Sequence, residues 1–195
     1  MTIKEVALPI AGILFGFLVY EAAFVALPSA PDLSIAPDQS KSTDATVAKF
    51  NSDQSAAAGA VGTSNTHRTA TITLTDEDVT VLLRRQATAS GAEPEKDAIY
   101  HIGDEYVLNE WMSIPLGGTH RVPILKTYFL SAETDGLYAN TTNERVGGLS
   151  FPPVVTPFVA QRISPVRILE IAVSGGRSEI TVSPGTLTMT VTYGS

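Results

Sequence analysis

The chain has 195 residues, no cysteine and a formal net charge of -7. Disulfides, thiolate metal sites, iron–sulfur clusters and cysteine nucleophiles are therefore excluded, and 13 scattered Lys and Arg against 20 Asp and Glu leave no concentrated basic surface for a nucleic acid. Hydrophobic residues make up 44% and charged residues only 17%, enough to bury one core with an apolar stretch left over.

That stretch is Val6 to Leu27, where Glu21 is the single charge. At about 1.5 Å rise per residue it matches a hydrocarbon core of about 30 Å. A cleaved signal peptide would need small residues at both positions of an A-x-A-like site; Glu21-Ala22-Ala23 and Phe24-Val25-Ala26 each fail at the first. Residues 1–27 are thus expected to form an uncleaved signal-anchor transmembrane helix, with the lipid bilayer as first partner. Lys4 precedes the span and Asp32 and Asp38 follow it. The positive-inside rule then gives a single-pass plasma-membrane protein with a cytoplasmic N-terminus and an extracytoplasmic remainder. Gly12 and Gly16 have the G-x-x-x-G spacing of close helix approach, which an ordinary lipid-facing anchor also carries.

Residues 28–65 are dominated by Pro, Ser, Ala, Asp and Gly without a sustained hydrophobic period. Such a segment buries too little apolar surface to offset chain entropy, so it reads as a disordered, flexible, low-complexity stalk.

Residues 66–195 form the extracytoplasmic α+β domain. Thr71 to Thr75 predicts a strand running into a helix with Thr75 as N-cap and Asp78 closing an acidic capping box. Asp76 and Glu77 place negative charge at the positive end of the helix dipole. Val79, Leu82, Leu83 and Gln86 fall at i, i+3, i+4, i+7 and make an apolar stripe. Strands are expected over 98–103, 105–114, 120–132, 136–139 and 145–151, with turn signals at Asp135-Gly136, Gly147-Gly148 and Gly117-Gly118. Val155, Phe158, Val159 and Ile163 predict a second short helix, with Thr156-Pro157 as N-cap and first helical residue. A strand at 167–173 and a hairpin of 178–182 and 186–192 across Ser183-Pro184-Gly185 complete the chain. The expected architecture is a curved antiparallel sheet packed with two short amphipathic helices.

The segments I-T-L-T-D-E-D-V-T-V-L-L-R-R and G-L-Y-A-N-T-T-N-E-R-V-G-G-L-S-F-P-P-V-V-T-P-F-V, behind an N-terminal anchor, resemble the YpmS family of bacterial membrane-anchored proteins. Tubular lipid-binding folds are a more distant likeness. The resemblance implies an uncharacterised extracytoplasmic domain of the cell envelope and brings no catalytic residues.

Chemistry of its own is sparse. His67, His101 and His120 share no metal-ligand spacing, Gly148-Leu149-Ser150-Phe151-Pro152 lacks the last glycine of a nucleophile elbow, and neither Gly-Gly pair leads into a phosphate loop. No catalytic residue, metal site or cofactor is expected, and the chain reads as a non-enzyme. One reading is a domain that binds or transfers a lipid or other apolar ligand in a helix–sheet groove lined by Val79, Leu82, Leu83, Phe151, Val155, Phe158 and Val159, although the same residues would fill any closed core. The alternative is a structural or assembly component of a cell-surface complex with an envelope protein partner, which an ordered stalk would favour.

Overall fold

Alternating apolar and polar residues give strands, and the helical stripe between the first two gives the element that closes them. The computed structural model describes residues 12–13, 15–16, 29–61, 67–91, 97–117, 120–146, 149–151 and 165–194. In chain order these form α1 (Gln39–Val61), β1 (Arg68–Thr75), α2 (Asp76–Ser90), β2 (Ile99–Ile102), β3 (Val107–Gly117), β4 (His120–Glu133), β5 (Gly136–Val146), β6 (Leu149–Phe151), β7 (Val166–Glu170), β8 (Arg177–Ser183) and β9 (Thr186–Tyr193). The fold is α+β. One sheet has the order β1-β9-β8; a larger, curved antiparallel half-barrel runs β2-β3-β4-β5-β6, with β7 also paired to β5.

The expected membrane anchor falls almost wholly outside the described residues. Within it Gly12, Ile13, Phe15 and Gly16 are helical. Among the described residues no helix is long and apolar enough to cross a membrane. The expected second helix around Val155 to Ile163 also lies outside the described residues.

The capping signals at Thr75 act as their spacing predicts. The Asp78 amide donates to Thr75 Oγ1 at 3.3 Å, and Asp78 Oδ2 accepts from the Thr75 amide at 3.1 Å. Gly91 ends α2 in the left-handed conformation, and its amide donates to the carbonyls of Ala87 and Thr88. One face of α2 enters the core through Val79 and Leu83.

Its flank does a second job. Strand β2 pairs only with β3 among the described strands, so its other edge would be open. Asp76, Thr80 and Arg84 serve that edge. Asp76 Oδ1 accepts from the Ile102 amide at 2.8 Å, Thr80 Oγ1 accepts from the Tyr100 amide at 3.1 Å, and Arg84 Nε donates to the Ala98 carbonyl at 2.6 Å. Four helical residues advance about 6.0 Å and two strand residues about 6.6 Å, so an i, i+4, i+8 row keeps step with alternate strand positions. The helix thereby guards an edge that would otherwise template strand addition. On the far side Gln86 Nε2 donates to the Arg167 carbonyl of β7 at 2.7 Å, so α2 bridges β2 and β7.

The stalk reading needs correction. Residues 39–61 are a 23-residue helix, α1, docked on β1, β9 and α2. Thr43, Val47, Phe50, Gln54, Ala57 and Val61 are spaced 4, 3, 4, 3, 4, a narrow seam of the coiled-coil type. Half of its members, Thr43, Gln54 and Ala57, are polar or small, which is why composition alone reads as disorder. Phe50 is buried to 1% exposure, and the polar members find partners on the domain. Asp78 accepts from Gln39 Nε2 at 3.0 Å and from Thr43 Oγ1 at 2.6 Å, while Tyr193 donates to Gln54 Oε1 at 3.2 Å. Ala-rich composition then favours helix once those contacts exist. The folded unit begins at Gln39, not at residue 66.

A second difference concerns β5. Two strands are expected, at 136–139 and 145–151, with Asn140 to Glu144 between them. Instead β5 runs unbroken to Val146, because Thr142 is the extra residue of a bulge: Tyr128 faces Thr141, and Thr127 faces Asn143. Its hydroxyl donates to the Thr127 carbonyl at 3.0 Å. Gly136 begins the strand where β7 approaches so closely that a Cβ would stand 2.4 Å from the Leu169 carbonyl oxygen.

Candidate functional site

The expected lining residues do not share one described cavity. Val79 and Leu83 are each 1% exposed in the central cluster with Ile72, Leu74, Ile102 and Leu187, and Leu82 packs against that cluster half-buried. Phe151 ends β6, and Val155, Phe158 and Val159 lie outside the described residues.

Charge has entered the sheet interior where the sequence shows only alternation. Glu110, Lys126 and Glu144 stand side by side on β3, β4 and β5, in register, at 0%, 1% and 0% exposure. Lys126 Nζ lies 3.7 Å from Glu110 Oε2; Tyr100 donates to Glu110 Oε1 at 2.5 Å, and Tyr128 donates to Glu110 Oε2. Removing such ions from water costs several kcal/mol each, roughly, unless partners surround them. The row therefore depends on this register: a slip of β4 by two residues would set Lys126 against apolar neighbours. Neither of the two hollows described below is lined by these residues.

Asp76 makes a second polar junction. Besides the Ile102 amide it holds His101 Nδ1 at 2.6 Å, and the His101 ring lies tilted at 53° with its centroid 6.4 Å from that of Trp111. The Asp76 amide donates to the Gly185 carbonyl at 3.2 Å, and the Gly185 amide to the Ile102 carbonyl at 2.7 Å. This group ties the start of α2, the end of β2 and the β8–β9 turn together. A histidine–carboxylate pair of this kind could orient a proton acceptor, but no serine, threonine or cysteine nucleophile bonds to the ring among the described contacts. Among the described residues no three His, Asp or Glu side chains are grouped to hold a metal ion.

Among the described residues two open hollows lie at the surface. The smaller, about 280 Å³, lies between α1 and β1 and is lined by Asp53, Ala56, Ala57, Ala60, Arg68 and Thr69. The larger, about 430 Å³, is a seam between β4 and β8 beneath Tyr106 and Phe129, which are 41% and 47% exposed. Their rings pack at 6.1 Å. Tyr106 sits in a turn where it and Glu105 both have positive φ, 65° and 55°. Hairpins favour Asn-Gly at such positions, and each non-glycine residue there costs on the order of 1 kcal/mol. A bond from the Leu130 amide to the Tyr106 carbonyl at 2.7 Å helps hold the turn.

The outer face of the three-stranded sheet is different again: over β1 and β9 it carries paired threonines, and on β8 it carries Arg177 and Glu179 beside Thr192 and Thr190. No single residue of this face is chemically reactive. The signal was the repeat T-x-T-x-T-x-T at both 69–75 and 186–192.

No protein-family model matches the chain, and no curated protein or solved structure matches it.

Proposed function

We propose that the chain is a membrane-tethered, extracytoplasmic, non-enzymatic module that serves as a structural or assembly component of an envelope complex. The ordering of α1 carries this reading. A tether meant only to reach would stay disordered, whereas α1 locks the residues after the proposed anchor onto the domain. Arg85 binds Asp44 and Ser40 at one end of the helix, Phe50 enters the core in the middle, and Gln54 meets Tyr193 and the Val173 amide further on. Only residues 28–38 then separate the domain from the apolar span, which restricts the directions its surfaces can face. The closed packing of Val79 and Leu83 favours this reading over a lipid groove at the same residues.

The test uses the full chain in its native membrane. A reporter fused after Ser195 is expected on the outer side, and native electrophoresis of mild-detergent extracts should give a species larger than one chain and its micelle. Phe50→Ala, which frees α1, should shrink that species without removing the chain from the membrane. A monomeric wild type that carries stoichiometric lipid would overturn the proposal in favour of lipid binding.

A further inference from the structure

Among the described residues the exposed large hydrophobic side chains are Ile13, Phe15, Tyr106 and Phe129. The first two belong to the expected membrane span, so Tyr106 and Phe129 are the pair that the folded domain itself presents. Tyr106 and its neighbour Glu105 are the non-glycine residues at positive φ among the described ones, where asparagine or glycine would hold the same turn at less cost. Strain of this kind persists where something other than stability retains the side chain. Phe129, opposite Val107 at the start of β3, supplies the second ring beside the hollow that Leu130, Ala132 and Ile180 also line.

The place of the pair in the fold selects what it meets. Asp78, in the first turn of α2, binds Gln39 and Thr43 at the start of α1. Asp76, two residues earlier, binds the Ile102 amide at the end of β2. The turn that carries Tyr106 begins at the next residue, Gly103, whose amide donates to the Val107 carbonyl. From Thr43 helix α1 runs back to Ala57 and Ala60, beside Arg68 and Thr69 at the opposite end of β1. The start of α1 and the Tyr106 turn therefore share one end of the domain, and from this end the chain leaves toward the span. Residues 28–38 reach at most about 40 Å when fully extended, little more than the width of a small domain. This end is the one held nearest the bilayer.

A bilayer interface also suits the pair chemically. Both rings gain by leaving water, and the tyrosine hydroxyl stays among polar headgroups, which is why tyrosine gathers at membrane surfaces. The charge nearby narrows the choice of lipid. Exposed Asp104 and Glu105 precede Tyr106, Glu179 lines the hollow, and no Lys or Arg does; Arg177 is held by Glu179 at 3.2 Å. Such an excess of carboxylate repels anionic headgroups and admits neutral ones.

We infer that the Tyr106–Phe129 corner inserts into the headgroup layer of the bilayer that anchors the chain, seating the domain on a neutral membrane surface. The inference rests on the tethered reading above and adds an orientation to it: the end at Arg68 and the last turn of α1 is turned away from the membrane.

The experiment uses the full chain in phosphatidylcholine bilayers that contain headgroup-spin-labelled lipid. Because the chain has no cysteine, Glu105→Cys carries a single fluorophore next to Tyr106, and Arg68→Cys carries the same fluorophore at the opposite end. Quenching at the first label should exceed that at the second several-fold. Tyr106→Asn with Phe129→Thr should bring the two labels level. If the double variant melts early, Tyr106→Asn alone, which relieves the positive φ and should melt no earlier than the wild type, should still reduce the difference. Replacing much of the neutral lipid with phosphatidylglycerol should weaken the quenching. Equal quenching at the two labels, quenching that survives both variants, or quenching that rises on anionic lipid would overturn the inference. A disulfide between two unlabelled Glu105→Cys chains in place of lipid quenching would also overturn it, and would assign the corner to a second copy. A chain that an alkaline carbonate wash strips from the bilayer would overturn the tethered reading itself, and this inference with it.

Discussion

The two helices dock on one core by opposite means. Helix α2 inserts Val79 and Leu83 among strand residues and satisfies the backbone of β2 with Asp76, Thr80 and Arg84. Helix α1 inserts a single large apolar side chain, Phe50, and otherwise relies on polar pins: Thr43 and Gln39 on Asp78, Asp44 and Ser40 on Arg85, Gln54 on Tyr193. Its interface also buries Gln54 Nε2 and Asn51 Oδ1 without a hydrogen-bond partner, each of which subtracts about 1–3 kcal/mol from docking. Removing α2 opens both the core and a sheet edge, whereas removing α1 uncovers one side of a finished domain. The difference predicts that α1 is the part of the folded unit that opens first and α2 a part that opens only with the whole.

Paired substitutions separate the two helices most directly. Leu83→Ala leaves a cavity inside the cluster and should lower global stability by about 3 kcal/mol, read as a shift of the urea midpoint. Phe50→Ala removes more surface, yet its global cost is capped by the docking free energy of α1. Amide exchange in α1 should therefore rise to near-unprotected rates while amides of β3 and β4 keep most of their protection. Equal losses of global stability from the two variants would show that α1 belongs to the same cooperative unit.

Asp78 joins the two helices, so altering it loosens both. Its carboxylate accepts from the Thr75 amide, Gln39 Nε2 and Thr43 Oγ1. Asp78→Asn should cost about 1–2 kcal/mol, through a weakened cap and a weakened pin together. In a double-mutant cycle with Thr43→Val the two changes should be less than additive by about 1 kcal/mol. Strict additivity would mean that the 2.6 Å contact contributes nothing to docking.

The same contrast decides what could be read from the chain. Signals for α2 are local, with cap, acidic first turn and stripe all within Thr75 to Gln86. The β8–β9 hairpin is likewise written in Ser183-Pro184-Gly185 and its flanking alternation. Helix α1 has no such local grammar, because the partners that make Thr43 and Gln54 acceptable in a seam are Asp78, 35 residues on, and Tyr193, 139 residues on. Glu110 and Lys126 occupy inward-phase positions, between Leu108 and Met112 and between Ile124 and Tyr128, and each taken alone resembles a break in an apolar face. Only pairing across β3 and β4 makes them neighbours. The threonine face was visible as two repeats, but its two-dimensional order exists only in the register of β1 with β9.

The smallest effects are electrostatic, and they act on α1 from its two ends. The Arg85 guanidinium bonded to Asp44 holds that carboxyl below its ordinary value of 3.8. A lowered carboxyl pKa stabilises the docked state above the ordinary value, and the contribution disappears as pH falls through the lowered one. Both side chains are largely exposed, so this acid-side loss should be small and should fade with added salt. At the other end burial raises the Tyr193 phenol above its ordinary 10.0. Here the sign reverses: the contribution is complete below the ordinary value and is lost as pH rises through the raised one. Amide exchange measured along α1 should therefore increase first near Asp44 in acid and first near Gln54 in alkali. Tyr193→Phe removes the titrating group and the bond to Gln54, so it should abolish the alkaline limb and leave the acid limb in place. An alkaline limb that survives this substitution would mean that some group other than Tyr193 controls release of the helix.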